Sequence, residues 1–329
     1  MRRRLDPFLM ALVGTVVLAS LLPARGGWAM VTAHATTAAI ALLFFLYGAR
    51  LSTRDAFDGV RHWRLHGTVF AATFVLFPAL GLAVQLLPSS ILPRDLAVGV
   101  LFLCCLPSTV QSSIGFTAIA RGNVPAAICS ASFSNMAGVL VTPLLVGLLL
   151  HTRGGFTPSA LLDIALQLMA PFVAGQLLRR WIGGWVARQR RALVLVDRGS
   201  ILLVVYAAFG AGVVAGIWQR VSLPGLAALL AVDVVLLGVV LAVTAVVPRL
   251  LGFDREDRIT ILFCGSKKSL AAGLPMASIL FAGQTVGLLV LPLMLFHQIQ
   301  LMVCAAIAQR LGRRAPAAHA ARPSGATVG

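Results

Sequence analysis

Lysine is almost missing from this chain, and charge of any kind is scarce. Asp, Glu, Lys and Arg make up 11% of the 329 residues, whereas 59% are hydrophobic and the mean hydropathy is +0.94. A soluble domain carries about 25% charged residues. A water-soluble globule of this length is therefore excluded, and the chain reads as an all-α integral membrane protein. Cysteine is sparse as well. Cys104, Cys105, Cys129, Cys264 and Cys304 all fall inside apolar runs without metal-ligand spacing, and they read as small packing residues rather than disulfides or a metal centre. There is no cofactor motif and no catalytic dyad of recognisable spacing.

What the chain does have is apolar runs long enough to cross a hydrocarbon core of about 30 Å. Ten are read, at roughly 8–24, 32–50, 67–87, 95–119, 123–150, 159–178, 199–218, 223–248, 258–282 and 286–308. The net charge of +17 suggests nucleic acid only if the basic residues form one patch, and they follow the loops instead. With the N-terminus cytoplasmic, twenty-one arginines fall inside and only Arg25, Arg94, Arg153 and Arg220 outside. That asymmetry is what the positive-inside rule demands of an inner-membrane protein with both termini in the cytoplasm. Arg2–Arg4, the first apolar run and Ala29, Ala33 and Ala35 also resemble a secretory leader, but cleavage would destroy the even span count. His34, His62 and His66 lie near span ends and read as interfacial.

Two spans are interrupted by polar residues at mid-membrane depth. In the fourth, Pro107-Ser108-Thr109-Val110-Gln111-Ser112-Ser113 splits an apolar run. In the ninth, Gly265-Ser266-Lys267-Lys268-Ser269 does the same, and these two lysines are the only ones in the chain. A lysine at the bilayer centre costs roughly 2.5–3.5 kcal/mol on insertion scales, so the pair needs a cavity, partners or both. Broken helices at this depth are tolerated where the unwound backbone lines a cavity. The competing reading is a kink whose serines bond their own carbonyls.

Other polar residues cluster by span. In the fifth, Asn123 is positioned to cap the helix, Ser130 and Ser134 share a face, and Asn135 lies beside them as a site candidate or as helix-packing glue. Asp233, near the middle of the eighth, is a candidate counter-charge for Lys267 or Lys268. His297 and Gln298 are the polar candidates of the tenth, with simple packing as the alternative. The basic stretch from Trp181 to Arg198 reads as an amphipathic helix on the membrane surface, and the tail at 312–329 as disordered. Gly210, Gly212 and Gly216 of the seventh span read as packing positions.

An offset of 156 residues carries Gln111 onto Lys267 and Gly67, at the start of the third span, onto Leu223, at the start of the eighth. Five spans per half is odd, so the halves, 1–156 and 157–311, enter the membrane with opposite polarity as an inverted repeat. In such folds, half-helix ends meet near the midplane and hold ions or substrate. The expected activity is transport of a small solute. The alternative of a different class is an intramembrane enzyme that uses a lysine.

At Pro107 to Pro143, with Ala-Arg-Gly-Asn-Val at 120–124, and again at Cys264 to Pro275, the sequence resembles the bile acid:sodium symporter family of the cation:proton antiporter superfamily. The resemblance implies a core domain, in which the fourth and ninth helices cross at their breaks, and a panel of the first, second, sixth and seventh. An organic anion would bind between them and move by an elevator-like displacement, with sodium as the coupling ion. The family's sodium-ligand pattern is altered here. Aligning Gly265 with the family glycine puts Phe263 where a glutamate belongs and Lys267 and Lys268 on an amide pair, while Ser113 matches a serine ligand and Ile114 replaces an asparagine. A lysine ammonium repels a second cation, so sodium coupling is in doubt. Two mechanisms follow. Either lysine is a built-in counter-cation and transport is weakly coupled or uncoupled, or a desolvated lysine exchanges a proton with Asp233. Adjacent residues on a helix point about 100° apart, so one lysine is expected to face the crossing, with Lys267 preferred.

Overall fold

The computed structural model describes residues 7–50, 62–150, 158–214, 216, 222–281 and 286–313, and these residues are helical with short connections. In chain order the helices are α1 (Pro7–Leu21), α2 (Gly27–Arg50), α3 (Trp63–Val84), α4 (Arg94–Cys105), α5 (Gln111–Ile119) and α6 (Val124–Leu150). They are followed by α7 (Pro158–Arg188), α8 (Arg190–Val214), α9 (Leu223–Leu250), α10 (Arg255–Gly265), α11 (Leu270–Leu280) and α12 (Val286–Arg313). Six of these segments are long and apolar enough to cross a membrane: α2, α3, α6, the Ala192–Val214 part of α8, α9 and α12. The protein is accordingly a multi-pass membrane protein.

Local chemistry sets the helix starts. Asn123 caps α6 by accepting from the Ala126 N–H at 3.1 Å, with Pro125 in the first turn, as the sequence suggested. Ser222 caps α9, Asp254 caps α10 and Ser269 caps α11, each accepting a backbone N–H three residues on. Before α6 the chain turns through Arg121, whose φ of 57° is the positive non-Gly φ among the described residues.

The helices pack as two groups. In one, α2 lies against α7 and α8, and α1 lies against α8. A Cβ on Gly48 would collide with the Phe172 carbonyl, and one on Gly175 with the Phe45 carbonyl, so α2 and α7 touch backbone to backbone. The close approach expected at Gly210 is looser, with Pro23 at ordinary van der Waals distance. In the other group, α4 packs on α3 and α12, and α9 on α10 and α12. Phe77, Phe102 and Phe296 are fully buried there.

Two expectations are corrected. Trp181–Arg188 is the end of α7 and Arg190 begins α8, so the basic stretch forms the junction of two long helices rather than a separate surface helix. Gly312 and Arg313 complete the last turn of α12, because Gly312 fits against the Ile119 carbonyl; the expected disordered tail beyond them lies outside the described residues.

Candidate functional site

The fourth-span interruption separates α4 from α5, and that of the ninth separates α10 from α11, so both breaks fall where polar residues enter apolar runs. A helix end leaves its last carbonyls without intrahelical donors, and here several are supplied from other segments. The Ser108 N–H, just past the end of α4, donates to Ser134 Oγ of α6 at 3.1 Å. Thr142 Oγ1 donates to the Cys105 carbonyl at 2.8 Å. At the other break, Ser108 Oγ donates to the Cys264 carbonyl at 2.6 Å and Ser113 Oγ to the Phe263 carbonyl at 3.1 Å, while Ser266 Oγ donates to Leu262. The Ser269 N–H donates to the Pro107 carbonyl at 2.9 Å, tying the two breaks together. Gly138 of α6 makes room for the Pro107 ring, against which a Cβ would clash.

Lys268 supplies what remains at the end of α4. Its ammonium donates to the carbonyls of Cys104 at 2.7 Å, Leu106 at 2.6 Å and Thr73 at 2.8 Å, so all three N–H groups are used. Thr73 is available because α3 takes a π turn at Ala72–Leu76, in which the Phe77 N–H bonds to Ala72 rather than Thr73. The next residue, Pro78, has no N–H to offer. The Thr73 carbonyl is thus left for the lysine. Phe77 lies face-on to the ammonium, with its ring centroid 4.2 Å away. The Lys268 backbone is clamped in turn by Gln300, whose Oε1 accepts from the Lys268 N–H at 2.9 Å and whose Nε2 donates to its carbonyl at 2.8 Å. Gln300 Nε2 also meets His297 Nδ1 at 2.8 Å.

Lys267 has a different setting. It is fully buried and its Nζ has no hydrogen-bond partner among the described residues; it lies 3.8 Å from the Phe116 ring centroid and 5.5 Å from that of Phe263. Such desolvated cation–π contacts are worth about 2 kcal/mol. The preference for Lys267 at the break is therefore reversed: Lys268 reaches the open carbonyls and Lys267 rests on aromatic faces. Asp233 is also fully buried, and both carboxylate oxygens lack a hydrogen-bond partner among the described residues. The expected pairing with a lysine is not made, because the Lys268 donors are spent on carbonyls and Lys267 is packed against rings.

The remaining candidates separate by position. Thr109 bonds to Ser112 and, at 3.2 Å, to Ser113. Ser130 points away from the break and meets His66 Nδ1 at 2.7 Å, so His66 is a half-buried partner rather than a purely interfacial group. Gln298 is outside the Lys268 network; Gln300, two residues on, occupies that role.

A cavity of about 510 Å³ lies between the breaks and the α2, α7 and α8 group. One wall carries Thr109, Gln111, Ser112, Ser269, Asn135 and His297; the facing wall carries Arg50 and Arg198 with Tyr47 and Phe172. The α5 N-terminus, the positive end of its helix dipole, has no side-chain cap, and its residues Val110 and Gln111 line this space. No acidic side chain lines it among the described residues.

This combination of a membrane helix bundle, paired breaks and an electropositive central cavity agrees with the match of residues 6–313 to the SBF-like CPA transporter family. The chain belongs to that family. Its SBF-like relatives include the uncharacterized protein PA2026 of Pseudomonas aeruginosa, 56% identical over 97% of each chain. YfeH of Escherichia coli, a symporter by assigned name, is 50% identical over 98% of each chain. Sodium/bile acid cotransporter 7 of Mus musculus is 29% identical over 92% of this chain and 91% of the relative. The protein is therefore a membrane transporter of the SBF family, and not an enzyme. Several residues of this SBF-like site were not singled out from sequence: Thr73, Thr142 and Gln300 around the breaks, and Arg50 and Arg198 in the cavity. The available signals were Thr142 beside the in-helix Pro143, and Gln300 one turn after His297 inside an apolar span; the role of Thr73 is carried by its backbone and has no sequence mark.

Proposed function

We propose that the chain is a secondary transporter of a small organic anion, with the solute held in the cavity between a core and a panel. The core would comprise α3–α6 and α9–α12, and the panel α1, α2, α7 and α8. The chain would form ten spans as an inverted repeat of 1–156 and 157–311, in the inner membrane with both termini cytoplasmic. Two contacts support the repeat. Ser113 bonds to the Phe263 carbonyl and Ser269 to the Pro107 carbonyl, and an offset of 156 exchanges one pair for the other. The observation that carries the anion reading is the cavity itself, with an uncapped helix N-terminus and two arginines but no acid among the described side chains.

The coupling ion follows from Lys268. Relatives named as sodium cotransporters make sodium the first expectation for a cation at the crossing. The residues present do not suit it at the end of α4, since the carbonyls of Cys104, Leu106 and Thr73 already hold an ammonium. Lys268 is a tethered cation that neutralises this helix end in every state of the cycle, so transport proceeds without sodium. The buried Asp233, with no hydrogen-bond partner among the described residues, gives no support to proton exchange between it and a lysine, which favours uncoupled over proton-coupled movement.

Flux of organic anions into proteoliposomes tests both parts, with an imposed sodium gradient, an imposed proton gradient, and neither. Uptake under all three conditions is expected. Chemical conversion without translocation would contradict the transporter reading, and uptake that requires sodium would contradict the role given to Lys268.

A further inference from the structure

We infer that the end of α7 is a binding site for an anionic phospholipid, with the headgroup phosphate at Arg180 and Arg188 and the lipid body along the helix face that precedes them. The site lies outside the central cavity and is independent of the transport reading. Five arginines and no acidic residue fall between Arg179 and Arg191, and the acids flanking this stretch are as far off in sequence as Asp163 and Asp197. Membrane orientation accounts for the charge. It does not account for the way the charge is arranged with tryptophan.

The end of α7 has two faces. Val186 is buried and Ile182 partly buried, in one cluster with Leu46 and Ala49 of α2 and Leu193 of α8. The outward face carries Val173, Leu177, Trp181 and Trp185, spaced by four residues and so stacked along the helix. All four are between 42% and 68% exposed, and Arg180 and Arg188 are exposed beside them. From Val173 to Arg188 this stripe passes from aliphatic to indole to guanidinium. That is the order of acyl chains, interface and phosphates in a bilayer. The level agrees as well. The apolar spanning part of α8 begins at Ala192 and that of α2 ends at Arg50, and their neighbours Leu193 and Ala49 share the cluster with Val186.

Arg180, Gly184 and Arg188 form a second row along the helix, four residues apart. A Cβ on Gly184 would have no atom within 4 Å, so the turn between the arginines is open. The two positions are about 12 Å apart along the axis, within the combined reach of two arginine side chains. Arg180 already lies over the Trp181 ring, 3.7 Å from its centroid. Guanidinium forks on both sides of an open turn match the oxygens of a phosphate diester. A zwitterionic lipid brings its own ammonium into this basic field, and a lipid of net negative charge does not. The site therefore selects the anionic lipid.

Tryptophan quenching tests this. The purified full-length protein is reconstituted in phosphatidylcholine vesicles that contain equal small shares of either brominated phosphatidylglycerol or brominated phosphatidylcholine. The brominated anionic lipid is expected to quench more strongly, and the excess is expected to vanish in Trp181→Phe/Trp185→Phe, which leaves the other tryptophans in place. Arg180→Gln and Arg188→Gln are each expected to lower the preference for the anionic lipid about fivefold, the share of one basic side chain near an anionic surface. Arg94→Gln, elsewhere on the surface, is expected to keep it. The preference is a ratio of two lipids on the same protein, so a partial loss of folding does not mimic its loss. Equal quenching by both lipids in the wild type, an excess that persists without the two tryptophans, or a preference retained in Arg180→Gln/Arg188→Gln overturns the inference. An equal drop in Arg94→Gln would reduce the effect to overall charge and overturn it too.

Discussion

The Lys268 ammonium donates to the Thr73 carbonyl at 2.8 Å, across 195 residues of sequence. The contact exists because a π turn in α3 uses the Phe77 N–H elsewhere and Pro78 has none to give. π turns of this kind often mark functional positions. Here the turn creates a third acceptor, so that one ammonium meets three converging carbonyls.

Replacing Lys268 should destabilise the protein more than removing any one hydroxyl of the crossing. Lys268→Met leaves the Thr73, Cys104 and Leu106 carbonyls buried without donors, at about 1–3 kcal/mol for each. A lowered apparent melting temperature in detergent, together with lost transport, is the expected outcome. Lys268→Arg should fail as well, since a planar guanidinium cannot point three donors at one convergent set. An arginine variant with wild-type stability would show that charge alone suffices.

Pro78→Ala offers a second-site test of the π turn. By itself it should have a small effect. Combined with Lys268→Met it restores a backbone N–H near Thr73, so the double variant should recover part of the stability lost. Additive effects in the double-mutant cycle would disconnect the turn from the lysine.

Gln300→Ala should impair transport and stability, because it removes both bonds to the Lys268 backbone. Gln298→Ala should be close to neutral in the same thermal and flux measurements. The reverse ranking would contradict the assignment of the tenth-span glutamine.

Asp233 provides a sharp contrast. Both of its oxygens are buried without hydrogen-bond partners among the described residues, so Asp233→Leu removes an unsatisfied group and should hold or raise the melting temperature. Transport should survive in this variant if lysine and Asp233 do not exchange protons. Complete loss of flux in a well-folded Asp233→Leu protein would revive proton coupling.

How far the sequence could be read follows from which groups do the bonding. The breaks at Pro107–Ser113 and Gly265–Ser269 were visible because hydroxyls, amides and ammonium groups are costly inside apolar runs unless the helix opens around them. Ser108, Ser113 and Ser269 stand out in the sequence for that reason, and cross-break hydrogen bonds join them in the structure. The partners of Ser108, Ser113 and Lys268 were invisible, since Cys264, Phe263, Thr73, Cys104 and Leu106 accept through their backbones. The choice between Lys267 and Lys268 turned on the exact end of α10, where Gly265 is the last helical residue. The Asp233 pairing was argued from depth alone, and depth does not say that three carbonyls compete for the same ammonium. Arg50 and Arg198 looked like orientation signals because their helices meet the cavity only in three dimensions.

The most direct test is equilibrium binding of radioactive sodium to the purified wild-type protein, beside a potassium control for non-specific association. A tethered lysine at the carbonyls of Cys104, Leu106 and Thr73 predicts no saturable sodium binding and no sodium-specific thermal stabilisation. Saturable, sodium-selective binding to the wild-type protein would contradict the account of Lys268 as the cation of this site.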